Sequence, residues 1–519
     1  MSDPSSETPA PPEPERKPES TPAAPGPRHD FKSISGHMAR GAAWMVGMRW
    51  SLRLIGLVNT LILARLLLPE DFGIIAMAMI VVNFLQVLSD LNVDLALVRH
   101  RDPTREHYDS AWTVQILAGL LVTAILYLLA APLARYYGDP RVELVIQIVS
   151  LRAVILGCSN IGMVDIRRSM DFSKEFRFWL YQRLLLFGFG LGLVVALGDY
   201  MGLALASPLS AAIGVGLSYS MSSYRPRLSF THVREMWSFS QWLIVYNAAL
   251  FLGSRSDEFV VGGATDADTM GNYFIASDTS AMPTRELVMP IGRALIPTYA
   301  QIAHDRTEMR AAFLSVLGFL ALICIPVGVG MAVVAEDFVL VVLGARWVKA
   351  VPYFGWLAIA GVMSALIIGM QPYFVVIGRG RSFALLYGAY AVALVPLLFL
   401  VAHRLDITWI PVARCLGTLG CLLVLFAEVV RIGSASIAEI AGVLWRPTIA
   451  ATAMGLAIVA LHPRMPDLRL LSLLHDVAVG VVLYVAVLFG TWLAAGRPDG
   501  PEKVALGQLR RWRAARNTG

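Results

Sequence analysis

The chain has 519 residues, of which 56% are hydrophobic and only 15% charged, with a formal net charge of +6. Soluble domains carry roughly a quarter charged residues, so this composition excludes a water-soluble protein and calls for lipid as solvent. The small basic excess is scattered in short clusters beside apolar segments, which leaves no single patch for nucleic acid.

Residues 1–35 are rich in Pro, Ser and Glu and poor in apolar side chains. Such a segment buries too little area to offset its ordering entropy, so a disordered tail is expected. It holds no apolar core of the kind a signal peptide needs. From there the chain reads as an all-α membrane protein with about fourteen apolar segments, each near the ~20 residues that a bilayer core requires. The expected spans are 42–67, 72–92, 111–134, 142–164, 176–197, 200–221, 237–261, 270–298, 312–334, 353–377, 383–402, 407–430, 440–461 and 473–495. The fifth and sixth are separated only by Gly198, Asp199 and Tyr200, and Pro283, Pro290 and Pro297 interrupt the eighth. The expected organisation is a tail (1–35), a first set of six helices (36–221), a second set of six (222–431), a final pair (432–496) and a basic tail (497–519).

Lys and Arg favour one set of connections, including Arg99, Arg101, Arg167, Arg168, Arg225 and Arg227, and both tails, by roughly three to one. That bias expects both termini in the cytoplasm. The stretch 335–351, the longest connection on the other side, is partly apolar and is expected to form an interfacial helix. The turn Leu68-Pro69-Glu70-Asp71-Phe72-Gly73 has a faint counterpart in Asp268-Thr269-Met270-Gly271-Asn272-Tyr273, each opening the second helix of a set. Repeats of this kind build transporters, with the substrate site between them. There is no P-loop, and the cysteines (Cys158, Cys324, Cys415, Cys421) lack metal-ligand spacing. No metal, cofactor or catalytic arrangement is expected. His475 and Asp476, being neighbours on a helix, are expected to point apart.

Charged side chains at mid-bilayer cost roughly 2.5–3.5 kcal/mol on insertion scales and therefore face a cavity or a partner. Arg49 and Arg53 share one face of the first helix with Gly56 and Thr60. A phosphate or pyrophosphate entering from the cytoplasm would meet these guanidiniums, whose planar fork suits it; the alternative is snorkelling to headgroups. Asp90 and Asp94 in the second helix balance those arginines, bind a coupling cation or proton, or sit in headgroup water. Arg285 and Arg293 offer a second face for an anionic ligand, with Asp278 as a coupling or charge-balancing group. Other embedded charges are Arg152, Arg183, Arg255, Asp257, Glu258, Glu286 and Arg414, of which Arg255, Asp257 and Glu258 suit a local ion-pair cluster as well as a ligand site.

The run Ala64-Arg65-Leu66-Leu67-Leu68-Pro69-Glu70-Asp71-Phe72-Gly73-Ile74 resembles the first outer turn of bacterial polysaccharide transporters, the Wzx-like oligosaccharide flippases of the MOP superfamily. Leu88 to Arg99, Gly271-Asn272-Tyr273, Ile291 to Pro297 and Val341-Val342-Leu343-Gly344-Ala345-Arg346-Trp347 resemble later stretches of the same family, in order. The resemblance implies two six-helix lobes around a central cavity, plus two C-terminal helices. It implies transport rather than catalysis: alternating access in a bacterial inner membrane that flips undecaprenyl-pyrophosphate-linked oligosaccharide, a lipopolysaccharide or exopolysaccharide precursor, to the outer leaflet. Arg49 and Arg53 would hold the pyrophosphate, and polysaccharide polymerase and glycosyltransferases would be partners. The competing expectation is a MATE-like cation-coupled antiporter of small molecules, against which the abundance of embedded arginine argues.

Overall fold

The computed structural model describes residues 55–56, 58–89, 97, 103–168, 172–463 and 468–497. Every regular element among them is helical. The long helices are α1 (58–66), α2 (Pro69–Ser89), α3 (Arg105–Tyr137), α4 (Arg141–Gly157), α5 (Phe172–Leu197), α6 (Tyr200–Met221) and α7 (Val233–Ala264). They continue with α8 (Ala267–Ile302), α9 (Arg306–Val333), α10 (Val351–Val376), α11 (Gly380–Arg404), α12 (Trp409–Arg431), α13 (Ile437–Leu461) and α14 (Arg469–Ala494). Ten helices among the described residues are long and apolar enough to cross a membrane. The expectation of fourteen is not reached by that measure: α4 has 17 residues, α7 and α8 are the most polar of the long helices, and most of the first segment lies outside the described residues. The exterior is apolar, with Leu128, Val392, Leu456 and Val482 all more than 60% exposed, as a chain bathed in lipid requires.

Consecutive helices alternate direction, so the protein has two ends, one bearing the Pro69 turn. Pro69 opens α2, where its missing N–H costs nothing and its φ is already helical. Asp71 then works twice, accepting the Leu68 N–H at 2.9 Å and the Tyr200 N–H at 3.1 Å, which ties the start of α6 to the same turn. Asp266 caps α8 by accepting the Thr269 N–H at 2.9 Å.

α3 packs on α4, α4 on α6 and α5 on α6; in the second group α7 packs on α11, and α10 touches α8, α9 and α12. The two groups meet chiefly where α2 crosses α8. There Gly73 and Gly271, each the fifth residue of its helix, face one another's partner strand of backbone. A Cβ on Gly73 would stand 1.8 Å from the Ala267 carbonyl oxygen, and one on Gly271 would stand 1.8 Å from that of Pro69. Ala267 and Pro69 are the first residues of the two helices, so the contact is reciprocal. The faint repeat in the sequence thus corresponds to a symmetric crossing.

One apolar core cluster runs through both groups near the Pro69 end and includes Leu67, Ile74, Met77, Met270 and Phe354. Towards the opposite end the clusters formed by the described residues are separate, one among α8 to α13 and another around Tyr108, Ile161 and Val164. Among the described residues the apolar seal between the groups therefore lies at the Pro69 end. Residues 335–350 reinforce it. They form not one interfacial helix but three short helical pieces, an α turn (Ala335–Phe338), a π turn (Val339–Leu343) and a 3-10 stretch (Ala345–Ala350), with Val339, Leu343 and Trp347 almost fully buried. Trp347 donates its indole N–H to the Ala64 carbonyl at 3.0 Å and meets the Phe72 ring edge-on at 5.3 Å, while Arg65 donates to the Val341 carbonyl at 2.8 Å. Burial of this length of backbone is possible because its own turns pair much of it, as in Gly344 N–H to the Val339 carbonyl and Trp347 N–H to the Gly344 carbonyl, and Arg65 of α1 donates to the Val341 carbonyl. The eighth segment, expected to be interrupted by its prolines, is a single continuous helix. α13 and α14 pack on each other, and α13 lies along α9.

Candidate functional site

α7 and α8 carry the charges that keep them polar, and the fold gathers these into one chain of ion pairs. Asp257 and Glu258 are each 1% exposed. Carboxylates so placed survive only with partners. Arg414 of α12 pairs with Asp257 and donates to the Ser254 carbonyl at 2.9 Å, and the Tyr273 hydroxyl donates to Asp257 at 2.5 Å. Arg255 pairs with Glu258, which also accepts from the Ser277 hydroxyl at 3.0 Å. Asp278 then stands between two arginines: Arg255 Nη2 is 3.8 Å from its Oδ1 and Arg285 Nη1 is 3.7 Å from the same atom.

Depth and exposure change together along this chain. By the ~1.5 Å rise per residue, Asp257 lies about 10 Å below the Pro69 end of α7, Asp278 about 16 Å down α8 and Arg285 about 27 Å down. Side-chain exposure rises in the same direction, from 1% at Asp257 and 25% at Arg255 to 34% at Asp278 and 36% at Arg285. The upper part is thus a closed structural network, and the lower part is accessible. The pairing distances at Asp278 exceed those of a direct hydrogen bond, so two guanidiniums converge on one carboxylate without gripping it tightly. Guanidiniums are the groups that bind phosphate-like anions through paired charge-assisted hydrogen bonds.

Of the residues expected to form the site, Arg285 and Asp278 are brought together. Arg49, Arg53, Asp90 and Asp94 lie outside the described residues, and Arg293 lies in α8 with its side chain outside the description. Arg255, which on sequence suits a local cluster as well as a ligand site, pairs with Glu258 and reaches Asp278. Arg414 belongs to the closed part. Its partnership with Asp257 spans 157 positions, and no periodicity within one helix signals it. One more arginine reaches the first helix: a Cβ on Gly56 would lie 2.2 Å from Nη2 of Arg183. The guanidinium of α5 thus rests on the backbone at Gly56.

A second group of chemically active side chains assembles at the Pro69 end. Asp476 is 2% exposed and lies between two imidazoles, His462 Nδ1 at 2.7 Å from Oδ2 and His475 Nδ1 at 3.3 Å from Oδ1. His475 and Asp476 were expected to point apart. They touch because the imidazole folds back across one residue. At the same end Asp139 accepts from Arg141, which also reaches Glu70 at 2.5 Å. The Arg141 hydrogen bond holds the Asp139 carboxyl below its usual range.

Comparison with known proteins agrees with this architecture. The family model described as "Polysaccharide biosynthesis protein" matches residues 62–352. The succinoglycan biosynthesis transport protein ExoT of Rhizobium meliloti (strain 1021) is 25% identical over 475 residues, covering 88% of this chain and 93% of that protein. The teichuronic acid biosynthesis protein TuaB of Bacillus subtilis (strain 168) is 22% identical over 67% of this chain and 73% of its own length, and the lipopolysaccharide biosynthesis protein WzxC of Escherichia coli (strain K12) is 22% identical over 63% and 67%. Among solved structures, the lipid II flippase MurJ in an inward closed conformation superposes with a TM-score of 0.73 at 11% identity, covering 88% of this chain and all of MurJ. An inward-facing MATE-family transporter of the MOP superfamily gives 0.62 at 16% identity, covering 74% and 94%. In fold this chain is a multi-pass helical membrane protein of the MOP type, and it belongs to the polysaccharide biosynthesis protein family.

Proposed function

We propose that the protein flips lipid-linked oligosaccharide, a sugar chain on an undecaprenyl-pyrophosphate carrier, from the cytoplasmic to the outer leaflet of a bacterial inner membrane. The observation that carries this reading is Asp278 between Arg255 and Arg285, about a third exposed and at distances longer than a direct hydrogen bond, within a membrane helix group. A pyrophosphate arriving there replaces one carboxylate with more charge and more acceptor oxygens, and arginine binds it bidentately. Arg49, Arg53, Arg183 and Arg293 supply the further cations for it. Asp278, released by the ligand, then balances charge, a part that Asp90 and Asp94 share. The seal at Gly73 and Gly271 is the outer gate, both termini are cytoplasmic, and the carrier's tail stays in lipid while the sugars cross between the two groups.

The transport relatives support a carrier rather than an enzyme, since ExoT is named a transport protein and MurJ a lipid II flippase. The test is movement of a fluorescent undecaprenyl-pyrophosphate oligosaccharide in proteoliposomes, comparing the wild type with Arg285→Ala and Arg53→Ala. Wild-type flipping lost in folded variants supports both the function and the site. Flipping that survives both substitutions moves the pyrophosphate site elsewhere. If the wild type flips no lipid-linked sugar but exchanges small cations, the antiporter expectation takes its place.

A further inference from the structure

Away from the charges of α7 and α8, a cavity of about 450 Å³ opens at the Pro69 end between the end of α9, the end of α13 and the start of α14. Among the described residues three carboxylates line it, Glu336, Asp337 and Asp476, against one permanent cation, Arg469. With neutral imidazoles these residues carry an excess of negative charge. Asp337, His462 and Asp476 each present a ligand atom, all within 4.8 Å of one another. They come from three separate elements, which is why spacing in the sequence does not reveal them.

Two observations separate this cluster from an ordinary ion-pair network. First, Asp337 Oδ2 makes no hydrogen bond although its side chain is 91% buried; the nearest imidazole atom, His462 Nε2, is 3.8 Å away. Arg469 reaches only the other oxygen, at 3.4 Å. A buried carboxylate oxygen without a donor is costly, and a cation in the cavity satisfies it. Second, the supporting contacts are in place. His475 holds the far oxygen of Asp476, and Ser472 donates to the Pro463 carbonyl, fixing the chain just after His462. Outer contacts of this kind orient metal ligands.

The geometry points to a divalent metal site formed by His462, Asp337 and Asp476, open to the side of the membrane that the Pro69 turn faces. One nitrogen with two carboxylate oxygens suits zinc or a similar first-row ion better than calcium, which takes 6–8 oxygens. Donors around one zinc ion stand about 3.0–3.4 Å apart, given bond lengths near 2.1 Å. His462 Nδ1 and Asp476 Oδ2, at 2.7 Å, are already near that spacing. Asp337's ligand atom lies within 4.8 Å of the other two, so a shift of the Asp337 side chain closes the remaining gap, and the His462 side chain, 39% exposed, has room to adjust. The ion joins α13 and α14 to the segment after α9, and so ties the terminal helix pair to the outer gate.

The test uses the full chain in lipid nanodiscs, with zinc binding measured by equilibrium dialysis and cobalt binding by visible absorption. One ion per chain is expected, with a cobalt spectrum typical of mixed nitrogen and oxygen ligation. His462→Gln, chosen because this side chain is 39% exposed and the glutamine amide can still donate to Asp476, is expected to weaken zinc binding by at least tenfold and abolish the cobalt bands. Asp337→Asn is expected to do the same, and His403→Gln to change nothing. Zinc binding of the same affinity in His462→Gln and Asp337→Asn, or less than half an ion per wild-type chain at saturating zinc, overturns the proposal.

Discussion

Replacing Gly73 by alanine places a methyl carbon 1.8 Å from the Ala267 carbonyl oxygen, where real Cβ atoms keep beyond 3.0 Å. Both elements are helix backbone, so neither yields by a rotamer change, and α2 and α8 must part by more than about 1 Å. Overpacking of this order costs about 1–3 kcal/mol. The cost falls only on the state in which the helices cross. Alanine also favours a helix over glycine by up to about 1 kcal/mol, in every state alike. The sealed state therefore loses roughly 1–3 kcal/mol against any state with the gate open, a shift of about 5- to 150-fold in population. Met77 reports the opening: on α2, it packs against Gly262 of α7 at the same seam and is fully buried. With Cys158 replaced by alanine, a Met77→Cys reporter is expected to react with a membrane-impermeant maleimide at least five times faster when Gly73→Ala is added. Gly271→Ala is expected to act in the same way from the other side, and the double variant to exceed either single. Unchanged labelling together with a raised melting temperature would mean that only helix propensity had been altered, and would refute the crossing as the seal.

Other outcomes follow from the same contacts. Arg414→Met leaves Asp257 buried without its cation and is expected to cost about 3–5 kcal/mol, whereas Arg414→Met with Asp257→Asn recovers most of it; thermal unfolding in detergent distinguishes them. Trp347→Phe removes the hydrogen bond to Ala64 while keeping much of the ring, for about 1–2 kcal/mol, and Trp347→Ala is expected to cost about 3–5 kcal/mol, both read as a lowered melting temperature. Because Arg141 depresses the Asp139 carboxyl, that contact's stabilisation is complete above the ordinary carboxylate range and is lost as pH falls through the lowered value. Hydrogen exchange at residues 138–141 is therefore expected to accelerate only on strong acidification, and in Asp139→Asn to be fast already at neutral pH.

Helices were legible because a bilayer imposes a length, and an apolar run of that length has few other uses. The sixth span coincides with α6 at both ends, because Asp199 and the polar Ser222 end the run chemically as well as by hydropathy. The eighth misled, since three prolines suggest interruption in water, whereas neighbouring helices here support one continuous element. The charged residues were visible one by one, because charge inside an apolar run stands out. Their pairings were not: Arg414 meets Asp257, and His462 meets both Asp337 and Asp476, through contacts between elements far apart in the chain. Within-helix spacing says which residues share a face but not what the face meets.

Pro283 lies between Asp278 and Arg285, so the ion contact between those two side chains straddles a joint. Each proline deprives the carbonyl four residues earlier of its donor, and Pro283, Pro290 and Pro297 recur every seventh residue, which sets all three weak points along one side of α8. Such a rod flexes readily in one plane and resists the others. The contact between Asp278 and Arg285 spans the first joint like a light strut across a knee. On the function proposed above, a ligand that drew the arginine away would remove that strut, so that occupancy and bending would become a single mechanical event, with no separate relay to carry the news of loading to the rest of the helix.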